Sequence, residues 1–331
     1  MNELFYSNKI RTSVEKIINQ YDTSVFIFHG LEGIGKRSFA NTVCNKILKS
    51  DNNDENFNEN TISNDKDITQ KSENLFFNNT HPDAFILEET DGKSIKIDQV
   101  RELKSFINET PSISTNKVVI IDPIEQLTLN ATNTLLKNLE ETNYNTYIFL
   151  ISHNLDRVLK TIQSRVFKFY FKPISKDKFT SILKLKNNFN LNDEELILVK
   201  NLFNFSPGLY LKFYNKNDQL LEDYTQFISN ILDKKLFEKN SNDIRKIDIS
   251  LRLMFLNNFI KNILCFFTDK NFNNETINFE KDTINSLNLN SVLIDKIYNE
   301  YNIFQELLDG AVTYNSSIDD LLEIFIHKIN L

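Results

Sequence analysis

The chain has 331 residues, 40% hydrophobic and 25% charged, which is long enough for two or three domains with cores of their own. A net charge of −7 excludes a protein that coats nucleic acid through a general basic excess, while leaving open a local DNA-facing surface or DNA contact through partner chains. Met1-Asn2-Glu3 does not begin a basic start and apolar run, and no stretch reads as long and apolar enough to span a membrane, so a cytoplasmic chain without a secretory leader is expected. The two cysteines, Cys44 and Cys265, lie far apart in apolar helical patterns and read as buried thiols, not a disulfide. Richness in Asn, Ile, Lys and Phe, with 6 Gly, 5 Pro and no Trp, suits an AT-rich coding sequence, so the asparagines are assigned no function.

From residue 24 onward, short apolar runs alternate with helical patterns. Strands are predicted over 25–28, 84–87, 118–121, 147–151 and 167–171. Helices are predicted over 36–48 and 98–107, along Leu127, Ala131, Leu135 and Leu139, and over 155–162. Such alternation predicts a parallel sheet covered on both faces. Residues 49–79 are polar and acidic and read as a surface insertion, disordered or loosely helical. They hold no cysteine, so a four-thiolate zinc site is excluded there. After Pro173 short helices fill 175–215, broken at Ser206-Pro207-Gly208. The rest is helical, with apolar stripes through Leu220 to Leu232, Phe255 to Phe267, Leu293 to Tyr301 and Ile318 to Phe325. The fold class is thus α/β followed by all-α, divided at 1–172, 173–216 and 217–331.

Gly30-Leu31-Glu32-Gly33-Ile34-Gly35-Lys36 follows a strand and opens a helix, the setting in which glycines let backbone N–H groups converge on phosphates. Lys36 would bridge the outer phosphates. A working loop next places Ser or Thr, whose hydroxyl binds magnesium, but Arg37 stands there and would repel a cation. Ser38 is displaced by about 100° round the helix and does not replace it. Asp122 ends an apolar strand where a magnesium-holding carboxylate belongs, yet Pro123 follows in place of a water-polarising acid. Glu125 reads as a solvated turn residue and not as a substitute base. Arg165, after Ser164, has two readings: an exposed or salt-bridged arginine, or an arginine finger aimed at a neighbour's γ-phosphate.

Taken in order, His81-Pro82-Asp83, Ile97-Asp98-Gln99-Val100-Arg101, Lys117 to Asp122, Asn133 to Glu141 and Ser164-Arg165 resemble the bacterial DNA polymerase III clamp-loader family, and within it the delta-prime branch. The resemblance covers residues 5–172, then Ser206-Pro207-Gly208, and the remaining helices in length and character only. It implies a RecA-like AAA+ domain, a small helical lid and a helical collar for oligomerisation. It implies a hetero-pentamer with delta and tau/gamma chains that opens the sliding clamp and sets it on primer-template DNA. Carried over, Arg165 is the finger, Ser164 matches its motif and Val166 replaces a cysteine. Leu209 stands where a sensor arginine is expected, Thr142 replaces a proline, and Ser152 or Asn154 would hold the first sensor position.

Two main readings follow. One is a stator of the DNA polymerase III holoenzyme, non-catalytic alone, with a degenerate nucleotide site of Gly30, Gly33, Gly35, Lys36 and Asp122. It requires no cofactor or metal, although Lys36 and the backbone leave room for weak magnesium-independent binding of ATP or ADP. The other is an active AAA+ ATPase, a tau/gamma-like motor or another DNA-linked protein. Arg37, Pro123 and Leu209 each remove a different part of hydrolysis and count against it. An adaptor without a DNA role is a third reading.

Overall fold

The computed structural model describes residues 8–49, 66–89, 94–140, 145–187, 191–214, 219–233, 247–266, 276–287, 289–314 and 317–329. The chain divides into two compact units, Met1–Pro173 and Ile174–Leu331.

The first unit is built on five parallel strands in the order β2-β3-β4-β1-β5: β1 Thr23–His29, β2 Ala84–Glu88, β3 Lys117–Asp122, β4 Thr146–Ser152 and β5 Phe167–Tyr170. Strands β3 and β4 are buried almost throughout, which is why their Val, Ile and Phe residues run on without polar alternation. One face carries Ile27, Val119, Ile121, Ile148 and Leu150 against α4 (Ile97–Asn108) and α5 (Leu129–Glu140). The other is aromatic: Phe26 stacks on Phe149 at 5.1 Å, and Phe28 meets Phe39 of α2 (Lys36–Lys49) at 5.2 Å. The chain leaves β1 towards β2 and later passes β1 again to reach β5. This reversal puts the loop after β1 beside the carboxyl ends of its neighbours, where parallel sheets build sites.

No helix or strand is predicted ahead of residue 24, whereas Asn8–Gln20 forms α1, in which Ile10, Val14, Ile17 and Ile18 recur at helical spacing and Val14 and Ile18 are buried. The predicted insertion is partly ordered, since Lys66–Phe77 forms α3. Its Glu73 pairs with Lys49 at 2.7 Å and accepts from Asn45 of α2 at 3.2 Å, and its Phe76 is buried. Residues 50–65 of that insertion lie outside the described residues. The single helix expected over 155–162 is a 3-10 turn, Leu155–Arg157, followed by α6, Lys160–Gln163. His81 and Asp83 are structural: His81 Nε2 hydrogen-bonds Ser72 Oγ of α3 at 3.0 Å, and the Asp83 carboxylate accepts the backbone N–H groups of Ser112, Ile113 and Ser114 at 2.5–2.8 Å.

The second unit contains, among the described residues, α7 (Lys176–Asn187), α8 (Asp193–Phe203), α9 (Pro207–Phe213), α10 (Leu220–Leu232), α11 (Ile249–Cys265), α12 (Asn278–Ser286), α13 (Ser291–Tyr314) and α14 (Ile318–Ile329). One core joins Phe179, Leu196 and Tyr210 to Tyr224, Phe255, Ile284 and Phe325, so helices on both sides of residue 217 share it. Ser206 is the N-cap of α9 and Pro207 its first residue, a good start for a helix. Phe267 lies outside the described residues. Cys44 is buried, but Cys265 is only half-buried, since it ends α11 at the edge of the core.

One expectation needs correcting: Ile249–Phe266 is long and apolar enough to cross a membrane by length and composition. Its burial explains the apolarity, because Phe255, Phe259 and Ile263 fill the core of the helical unit. Its Asn258 and Asn262 are also buried, donating to Glu280 Oε1 of α12 at 2.9 and 2.8 Å. Tyr224 donates its hydroxyl to the same oxygen. Burial pushes the Glu280 carboxyl up from its ordinary 4.5, against the lowering effect of these donors. The folded chain therefore holds this proton more tightly than the unfolded chain, and stability falls as pH rises from about 4.5 through the raised value. Glu280→Gln keeps an acceptor for the same donors. Its urea midpoint should lose that component of the decline with pH, whereas an unchanged pH profile would show that Glu280 is not its source.

Candidate functional site

The loop Gly30–Lys36 joins β1 to α2 with positive φ at Gly30 (142°), Gly33 (71°) and Gly35 (99°). Gly30 is also fixed by space, because a Cβ there would lie 2.4 Å from the Phe171 carbonyl oxygen at the end of β5. Lys36 is buried, and its ammonium donates to the carbonyl oxygens of Gly30 at 2.7 Å and Leu31 at 2.5 Å. Burial lowers its pKa to about 8, opposed by Asp122, Glu125 and Glu32. The ammonium thus satisfies the loop from within.

Glu88 and Asp122 are register partners at the carboxyl ends of β2 and β3, so their side chains leave the sheet on the same face. Arg37 lies between them. Nη1 donates to Asp122 Oδ2 at 3.3 Å, Nη2 to Glu88 Oε1, and Nε to Asn41 Oδ1 at 3.0 Å. Burial pushes the Asp122 carboxyl up, opposed first by the Arg37 charge and then by His153 and Lys36. The structure thus brings together Lys36, Arg37 and Asp122, all singled out in the sequence. Magnesium held by a nucleotide does not fit these residues: it needs oxygen ligands, and a guanidinium that offers none already spans the two carboxylates.

The water-polarising position offers no base either. Pro123 follows Asp122 through a cis peptide bond. Glu125 is not simply a solvated turn residue as expected. Its Oε1 accepts from Ser152 Oγ at 2.7 Å and from the backbone N–H groups of His153 and Asn154, both at 2.6 Å, closing the end of β4. Ser152 is engaged in that contact, and Asn154 Oδ1 caps the following 3-10 turn by accepting from Asp156 N at 3.0 Å. Leu209 packs against the core of the helical unit.

Arg165 lies elsewhere in the first unit, between α6 and β5, and is exposed. Nε and Nη2 reach Glu140 Oε1 at 3.1 and 3.0 Å, and Nη1 donates to the Thr161 carbonyl at 2.9 Å and to Ser164 Oγ at 3.4 Å. None of these contacts reaches the Gly30–Lys36 loop. Strand β5 is an edge strand, with Phe167 and Tyr170 exposed at 40% and 52%. Glu88 and Glu140 are partners that the motifs alone do not assign. Glu88 becomes visible once β2 and β3 are aligned so that both end in a carboxylate. Glu141 and Thr142 lie outside the described residues.

The family model described as "DNA polymerase III, delta subunit" matches residues 7–175, just over half of the chain. A DNA polymerase III subunit delta-prime of Buchnera aphidicola subsp. Schizaphis graminum is 26% identical over 253 residues, covering 72% of this chain and 73% of that protein. The chain belongs to the delta-prime family of DNA polymerase III subunits. The delta-prime subunit of Pseudomonas aeruginosa is 47% identical over 87 residues, which is 26% of each chain. A DNA polymerase III subunit gamma of the same Buchnera is 34% identical over 106 residues, 31% of this chain and 29% of that one. The match to the Pseudomonas delta-prime subunit therefore spans about a quarter of its length, and the similarity to the family is concentrated in the unit that holds the loop and Arg165.

The contacts of Glu125 predict a stability effect. Glu125→Ala leaves two backbone N–H groups and the Ser152 hydroxyl without their acceptor and should cost about 2–3 kcal/mol in urea unfolding. A loss below roughly 0.5 kcal/mol, within the range of ordinary surface substitutions, would contradict the capping role.

Proposed function

We propose that the chain is the delta-prime member of a clamp loader, a stator that lends Arg165 to a neighbouring subunit and turns over little or no ATP itself. Delta and tau/gamma chains are its partners in a hetero-pentamer, and through that ring it helps place the sliding clamp on primer-template DNA. The helices before residue 217 would serve as lid and those after it as collar. The observation that carries this reading is the Arg37 guanidinium across Asp122 and Glu88, where a hydrolysing site needs a metal. It is supported by Arg165, a fixed positive charge in an exposed position at the other side of the same unit.

Similarity to gamma subunits is what the motor reading has in its favour. Hydrolysis, however, needs a metal ligand, a group that orients water and a sensor of the γ-phosphate. Arg37, Pro123 and Leu209 stand in those places.

Two measurements test the proposal. The purified chain alone should show negligible steady-state ATP turnover, and a rate typical of AAA+ motors would overturn the stator reading. In a ring reconstituted with delta and tau/gamma chains, Arg165→Ala should leave assembly intact by size-exclusion chromatography. The site served by this chain should then lose roughly a hundredfold or more of its DNA- and clamp-stimulated rate. Unchanged stimulated hydrolysis would remove Arg165 from the role.

A further inference from the structure

The register of β2 on β3 sets two carboxylates, Glu88 and Asp122, side by side on one face of the sheet. Like charges in that position repel, and a cation between them is the direct remedy. The chain supplies one covalently. Arg37, the second residue of α2, donates to Asp122, Glu88 and Asn41 at once, and its side chain is 22% exposed. We infer that Arg37 is a built-in counter-cation that keeps divalent metal out of a latent oxygen-ligand site formed by Asp122 and Glu88. Beyond the absence of hydrolysis, this makes the guanidinium the element that ties the first turn of α2 to the carboxyl ends of β2 and β3. A divalent cation would do the same job in its absence. The inference concerns the chain's own loop and does not depend on Arg165 reaching a neighbour.

The chemistry sets a simple requirement. A small divalent cation binds carboxylate and hydroxyl oxygens and no guanidinium nitrogen. Replacing Arg37 by Thr removes the competing charge and adds a hydroxyl beside two carboxylates, so the same pocket becomes a site for Mn2+ or Mg2+.

The test uses the full chain and Mn2+ as probe. Wild type, Arg37→Thr and Arg37→Thr/Asp122→Asn are compared by thermal unfolding with and without MnCl2, against NaCl of equal ionic strength. Loss of the free Mn2+ signal in electron paramagnetic resonance reports binding directly. Wild type should show no Mn2+ shift beyond the salt control. Arg37→Thr should be less stable in metal-free buffer and be restored by Mn2+, binding it at least tenfold more tightly than the double variant. If Arg37→Thr does not fold without metal, folding on addition of Mn2+ is the same result, and Arg37→Gln is carried through the same comparison. Wild-type binding of Mn2+ that Asp122→Asn abolishes would overturn the inference, as would the lack of any Mn2+ response in both Arg37 variants.

Discussion

A pair of carboxylates sharing one face of a parallel sheet organises the mouth of the first unit. Register alone places Glu88 beside Asp122, where two negative charges repel and a cation between them relieves the repulsion. Arg37 meets the need from the first turn of α2. Its neighbour Lys36 is then left to the loop carbonyls. Glu125, the nearest carboxylate in sequence, is spent on closing the end of β4. Lys36, Arg37, Asp122 and one oxygen of Glu125 are thus all engaged by other parts of the same chain.

The opposite holds at Arg165. Its partner Glu140 is half exposed, and an exposed ion pair of this kind is worth about 0–1 kcal/mol. On the proposed reading, exchanging that carboxylate for a neighbour's phosphate oxygens costs little, while the Thr161 carbonyl keeps the guanidinium oriented. The nearby sequence is rich in cations, although Asp156 precedes it and Glu140 pairs with Arg165 itself. Residues 157–172 contain Arg157, Lys160, Arg165, Lys168 and Lys172 and no acid, within a chain whose net charge is −7. All five cations are exposed.

Much of this was legible in the sequence. The strands declared themselves because fully buried parallel strands read as continuous apolar runs, as in Val118 to Ile121. The loop was legible from its glycines and its place between strand and helix, and the loss at Arg37 from one residue type. Other features depend on contacts that no local pattern encodes. The role of Glu88 comes from strand register, and the partner of Arg165 comes from a helix 25 residues away. The polar composition of residues 49–79 left disorder and loose helix both open, and the helix Lys66–Phe77 is settled by contacts outside it, Glu73 with Lys49 and the buried Phe76. The run Ile249–Phe266 was read from its stripe as a helix of the folded chain, and what that reading understated is its apolarity, which is enough by length and composition for a membrane span although half of the run is buried in the helical unit.

The central claim, that this chain serves a neighbour's site and not its own, is tested most directly by a cryo-electron microscopy structure of the reconstituted ring. The complex would hold a non-hydrolysable ATP analogue and magnesium. The account predicts the Arg165 guanidinium within hydrogen-bond distance of a neighbour's γ-phosphate, with Arg37 still on Asp122 and no magnesium in this chain's loop. Magnesium and nucleotide seated at Lys36 and Asp122, with Arg165 turned away from every neighbouring nucleotide, would contradict it.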